Sequence, residues 1–89
     1  MRITAEISLY PLTDNFVDDI KAFIYALRGE HGLEVVTNQT STQVRGDFDA
    51  VTGAITRCMR DIMQDADGTR VFAVKYLNAD LDIARAPKV

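Results

Sequence analysis

The stretch "NQTSTQVRGDFDAV", residues 38–51, decides how this chain is read. It opens as a run of small hydroxyl and amide side chains. It then takes up the alternation of a strand through "STQVRG", residues 41–46, and passes at Asp47 into a helix. Phe48, Val51, Ile55, Met59 and Ile62 mark the buried face of that helix, with Cys58 beside them. Asp47 is suited to cap it, and "DADG", residues 65–68, to end it. Upstream, "LEVVT", residues 33–37, reads as the preceding strand, and "NQT" as the short polar link between the two.

Working outward, residues 2–10 alternate cleanly. Ile3, Ala5, Ile7 and Leu9 share one face, and Thr4, Glu6, Ser8 and Tyr10 share the other. Pro11 is expected to stop this strand. Thr13 or Asp14 then caps a first helix, with Asp18 and Asp19 near its positive end. Phe16, Val17, Ile20, Phe23, Ile24 and Leu27 form its apolar stripe, and Gly29 and Gly32 close it. "RVFAVKYL", residues 70–77, is a last strand. The remainder, 78–89, is a short extra strand, a turn or a loose end.

The order is therefore βαββαβ. It predicts an α+β, ferredoxin-like fold: an antiparallel four-stranded sheet with both helices on one face. The 89 residues make one domain, with a core over 2–77 and a tail over 78–89. One sheet face is left without helices. It must be solvated, hold a ligand or pack on a second subunit.

Composition narrows the function. The formal net charge is −3, which argues against nucleic acid as a partner. No apolar run has membrane length, and the alternating N-terminus is not a signal peptide. A single cysteine fits a reducing cytoplasm. Asp47, Asp49, Asp65 and Asp67 lack metal spacing. No nucleophile–base motif or phosphate-binding glycine loop is present. His31, at the end of the first helix, suits free carbonyls there better than catalysis. Cys58 reads as a small core residue.

"ITAEISLYPL", residues 3–12, followed by a helix and "VVTNQTSTQVRGDFDAV", residues 35–51, resembles the YkoF-like family of thiamine- and hydroxymethylpyrimidine-binding proteins. The resemblance runs from Ile3 to Leu77. It implies the single-repeat kind, which assembles as a homo-oligomer, here a dimer or tetramer. It also implies a cytoplasmic carrier or sensor without catalysis, whose ligand is thiamine or its hydroxymethylpyrimidine moiety and which needs no cofactor. The alternative is an oligomeric structural or regulatory protein that binds another metabolite or none.

Such a ligand wants a carboxylate, hydroxyls or amides and an apolar wall. Glu6, Ser8, Tyr10, Asn38, Thr40, Ser41 and Thr42 supply those types and are the candidate ligand residues, expected on the uncovered sheet face. Each has an ordinary structural role too. Glu6 can pair across strands with Lys75 or Arg45, and the Asn/Ser/Thr run can be turn residues. In a regular strand Ser41 and Thr42 point to opposite faces, so both cannot meet one ligand; Thr42, with Thr40, is preferred.

Overall fold

A computed structural model of the chain describes residues 1–12, 16–64 and 68–87. Among them are β1 (Arg2–Pro11), α1 (Phe16–Arg28), β2 (Leu33–Thr37), β3 (Thr42–Asp47), α2 (Phe48–Gln64) and β4 (Arg70–Leu77). The expected caps Thr13 and Asp14, and the turn acids Asp65 and Asp67, lie outside the described residues. The strands form one antiparallel sheet in the order β2-β3-β1-β4. The fold is ferredoxin-like, as the βαββαβ pattern predicts.

Alternation in β1 sets the two faces. Ile3, Ala5 and Ile7 are buried beneath the helices, together with Val44 of β3. Phe23 and Leu27 from α1, and Val51, Ala54, Ile55 and Cys58 from α2, complete this core. Each large aliphatic chain buried here contributes roughly 1.5–3 kcal/mol. The α2 stripe therefore runs 51–54–55–58. Phe48, expected on it, is 42% exposed at the start of the helix. Phe23 meets Phe72 of β4 edge to face, with ring centroids 5.2 Å apart. An ion pair between Arg70 Nε and Asp19 Oδ2, 2.8 Å, ties the start of β4 to the first turns of α1.

Three boundaries differ from the sequence reading. β1 continues through Pro11, which pairs with Arg70 of β4. Its pairing with β3 ends at Ile7, so β1 is an edge there and tolerates an imino acid. β3 runs from Thr42 to Asp47, and α2 starts at the next residue, where Phe48 N–H donates to the Met1 carbonyl (2.8 Å). Gly32, with φ of 77°, makes the turn into β2. Gly46 lies so close that a Cβ there would stand 2.7 Å from the Gly32 carbonyl oxygen.

The largest difference concerns the tail. After β4 the chain turns and crosses the face that the helices leave open. Thr4 Oγ1 donates to the Ala79 carbonyl (2.7 Å) and accepts from Leu81 N–H (3.0 Å). Arg45 Nη1 donates to the Leu81 carbonyl (2.7 Å). Arg45 also pairs with Asp80 (3.0 Å), Glu34 (3.5 Å) and Asp82 (3.8 Å), and Arg2 pairs with Asp80 (3.0 Å). Thr4, expected on a bare face, is 3% exposed as a result. Residues 79–82 are neither a strand nor a loose end; they form a strap over one half of the open face. The other half, with Tyr10, Val71 and Ala73, stays uncovered.

Candidate functional site

The polar run 37–42 is where β2 turns back into β3. Asn38 organises the turn. Its Oδ1 accepts from Thr40 N–H (3.0 Å), Ser41 N–H (3.1 Å) and Thr40 Oγ1 (3.2 Å), while its own N–H donates to the Ser41 carbonyl (3.0 Å). This is an Asx-type turn, the local bonding for which asparagine is favoured. Asn38 thus has a structural task, whatever else it does.

The turn sends its neighbours to opposite faces. Ser41 Oγ donates to Glu6 Oε2 (3.2 Å) and accepts from Gln43 Nε2 (2.8 Å), on the face away from the helices. Glu6 also pairs with Lys75, its register partner in β4, at 3.6 Å. Thr42 lies opposite Ile7, on the helix side, and is 5% exposed. Its hydroxyl oxygen is 3.1 Å from that of Thr37. The expectation that Thr42 joins Glu6 on the uncovered face is corrected: the regular pleat from Thr42 onward puts it among the core residues.

A pocket of about 100 Å³ opens on that helix side, between α1 and the turn. Its apolar wall comes from Ile7 and Leu9 of β1 and from Ile20, Phe23 and Ile24 of α1. Its polar rim is Thr37, Asn38, Gln39, Thr40, Ser41 and Thr42, with Ser8 across the gap. Ser8 Oγ approaches the Thr40 carbonyl at 3.5 Å and closes that side. The structure therefore gathers Ser8, Asn38, Thr40, Ser41 and Thr42 around one cavity, while Glu6 and Tyr10 lie outside it. Tyr10 is 55% exposed on the uncovered half of the opposite face. Sequence reasoning missed Thr37, Gln39 and the α1 residues. Ile20, Phe23 and Ile24 carried a signal, being on the helical apolar stripe, but that stripe reads as core until the gap beside it is seen.

No lining residue is ionisable. The pocket can fill its polar rim with hydrogen bonds to a neutral ring and lay the ring on an apolar floor. It offers no counter-charge to an ion. Its volume falls below the roughly 300–1,000 Å³ of drug-sized sites and suits one small ring.

The other chemistry-bearing groups are placed elsewhere. Cys58 is buried in the core, and its thiol is pushed up in pKa, first by burial and then by the charges of Glu30 and Asp61, with Arg57 opposing. That favours an inert thiol. Glu30 is held below the usual carboxylate range, chiefly by its hydrogen bonds from Arg57 (2.9 and 3.2 Å). His31, next in sequence, is exposed. Among the described residues no cluster of His, Cys, Asp and Glu is arranged for a metal ion, and no helix is long and apolar enough to cross a membrane.

Comparison with known proteins bears on the fold and the family. The fold is shared with a hypothetical protein of Methanocaldococcus jannaschii, 25% identical, with a TM-score of 0.76 over 88% of this chain and 80% of that one. It is shared also with a Streptococcus pneumoniae protein, 21% identical, TM-score 0.80 over 94% of both chains. A candidate thiamine biosynthesis/salvage protein of Thermotoga maritima is 17% identical, with a TM-score of 0.74 over 98% of this chain and 90% of that one. No curated protein matches the sequence. The sequence model of the YKOF-related family matches residues 2–73, most of the chain and all of the pocket, and the protein belongs to that family.

Proposed function

We propose that the protein is a small-molecule binding protein that takes thiamine or its hydroxymethylpyrimidine moiety into the pocket beneath α1, holds it reversibly and does no chemistry on it. The carrying observation is the pocket itself: an uncharged rim of hydroxyls and amides over an apolar floor that includes Phe23. Membership of the YKOF-related family and the fold shared with the Thermotoga protein support the thiamine connection. In this reading a cytoplasmic carrier or sensor serves thiamine uptake or salvage. The pyrimidine ring sits in the pocket. The cationic thiazolium, when present, stays at the mouth, since an unpaired charge is costly to bury.

A diphosphate should add nothing. Phosphate recognition uses Arg or Lys clusters or a free helix N-terminus. The pocket lining has no cation, and the first turn of α1 already carries Asp18 and Asp19. Calorimetry of the purified protein against hydroxymethylpyrimidine, thiamine and thiamine diphosphate tests the proposal. The first two should bind, with the diphosphate weakest in metal-free buffer. No binding of either ring compound, or tightest binding of the diphosphate, would overturn it.

One further observation favours assembly. Tyr10 and Val71, exposed at 55% and 44%, lie side by side on the half of the sheet that the strap leaves bare. An apolar pair set on a sheet face suits contact with a second copy. In this proposal the protein is a dimer or tetramer. A single species of monomer mass in light scattering at micromolar concentration would refute it.

A further inference from the structure

The polar groups around the pocket are unequal in what they have left to offer. Asn38 Oδ1 already accepts three hydrogen bonds, all from Thr40 and Ser41. The Ser41 hydroxyl is engaged on both sides, by Gln43 and Glu6. Thr37 and Thr42 differ. They face each other at the end of the β2–β3 ladder with hydroxyl oxygens 3.1 Å apart. Among the described residues neither hydroxyl has another hydrogen-bond partner, and both line the pocket.

A hydroxyl offers one hydrogen and two lone-pair sites. The bond between the two threonines uses one hydrogen and one lone pair. As a unit the pair keeps one free hydrogen, with lone pairs to spare. Either oxygen can be the donor within the pair, so the free hydrogen can reside on either side. The unit therefore matches a ligand edge on which a donor and an acceptor stand next to each other. An amino group beside a ring nitrogen is such an edge: the amine donates and the nitrogen accepts. An oxo group beside a ring N–H is its mirror image. Reversing the direction of the threonine pair turns a match for one into a match for the other, with no change of position.

We infer that the Thr37–Thr42 hydroxyl pair is the specificity-determining element of the pocket, selecting neutral monocyclic azines with an amino or oxo group beside a ring nitrogen, and accepting both kinds alike. The inference rests on the pocket beneath α1 being the ligand site. It adds the class of ring admitted and the residues that select it. A ring without the exocyclic group leaves the pair half-satisfied in a buried setting, which costs affinity. Because no lining residue is ionisable, the selection is by hydrogen-bond pattern and not by charge.

Calorimetry with three probes on the intact protein tests this: 4-amino-5-hydroxymethyl-2-methylpyrimidine, its 4-oxo counterpart, and the same ring bare at that position. The wild type should bind the amino and oxo rings within about threefold of each other and the bare ring about tenfold more weakly. Thr37→Val and Thr42→Val keep the branched shape and remove the hydroxyl. Each should weaken the amino and oxo rings about tenfold and leave the bare ring unchanged. Thr42→Ser keeps the hydroxyl and should retain the wild-type pattern, which guards against a Val variant that merely folds badly. Folded Val variants that bind all three rings as the wild type does would overturn the role of the pair alone. So would a wild type that binds the amino ring but rejects the oxo ring by more than about tenfold. A wild type that binds none of the three would overturn both the inference and the site on which it rests.

Discussion

Thr4 and Thr42 are the two buried polar residues among those described, 3% and 5% exposed, and they lie on opposite faces of the sheet. Thr4 sits at the strapped end of the open face. Its hydroxyl donates to Ala79 and accepts from Leu81, so its hydrogen is used and the tail is pegged. Around it stand Arg2, Arg45, Asp80 and Asp82, a charged and mutually paired set. Thr42 sits at the far end on the helix side, in uncharged surroundings, with the Thr37 hydroxyl as its partner. Burial alone does not separate a hydroxyl spent on structure from one with capacity left to offer. What separates them is whether the protein has already used the group's hydrogen-bonding capacity, since a buried polar group is held by its partners or waits for one.

The contrast can be broken first at its structural end. Thr4→Val removes both contacts to the tail and leaves Ala79 C=O and Leu81 N–H without their partner. Stability should fall by roughly 1–3 kcal/mol in denaturant unfolding, with ligand affinity per folded molecule unchanged. A stable variant that binds less ligand would mean that the strap and the pocket are coupled. Arg45→Ala should be milder, about 1 kcal/mol, because the pairs it breaks are partly solvated. The loss should shrink as salt is raised, and proteolysis after β4 should quicken. A loss indifferent to salt would show that the Arg45–Leu81 carbonyl bond, and not the charges, holds the tail. The smallest effect is expected at Glu6. It faces away from the pocket and touches the site only through Ser41. Glu6→Gln should change ligand affinity by less than about 0.5 kcal/mol, the range of an exposed charge contact. A larger loss, measured by calorimetry with folding intact, would put the carboxylate back in the site.

The two ends were not equally legible in the sequence. The strand β1, its faces, both helices and the strand order follow from apolar periodicity, a local signal that each segment carries by itself. The hydroxyl run 38–42 also announces itself, and five residues named from it and from β1 do surround the pocket: Ser8, Asn38, Thr40, Ser41 and Thr42. Which side of the sheet Thr42 takes did not follow. That depended on β3 beginning at Thr42 after an asparagine-centred turn, and a shift of one residue exchanges the faces. The strap was opaque for another reason. "NADLDIARAPKV" has no periodicity, and the position of its residues 79–82 is set by bonds to residues far away in the chain, such as Thr4 with Ala79, 75 positions apart, and Arg2 with Asp80, 78 apart. Such pairs leave no mark on the tail's own sequence. At Glu6 the sequence offered a ligand contact or a cross-strand pair, and the structure shows the pair, with Lys75, beside a hydrogen bond from Ser41.

In the proposed function the ligand site lies beneath α1 and not on the open face of the sheet. Amide chemical-shift mapping of the labelled protein, titrated with hydroxymethylpyrimidine, tests it most directly. Saturable shifts are expected at residues 37–42 and at Ile20, Phe23 and Ile24, with Tyr10, Val71, Ala73 and the strap residues 79–82 unmoved. Shifts centred on Glu6, Tyr10, Val71 and Ala73, with the turn and α1 silent, would contradict it and place the site on the uncovered half of the opposite face.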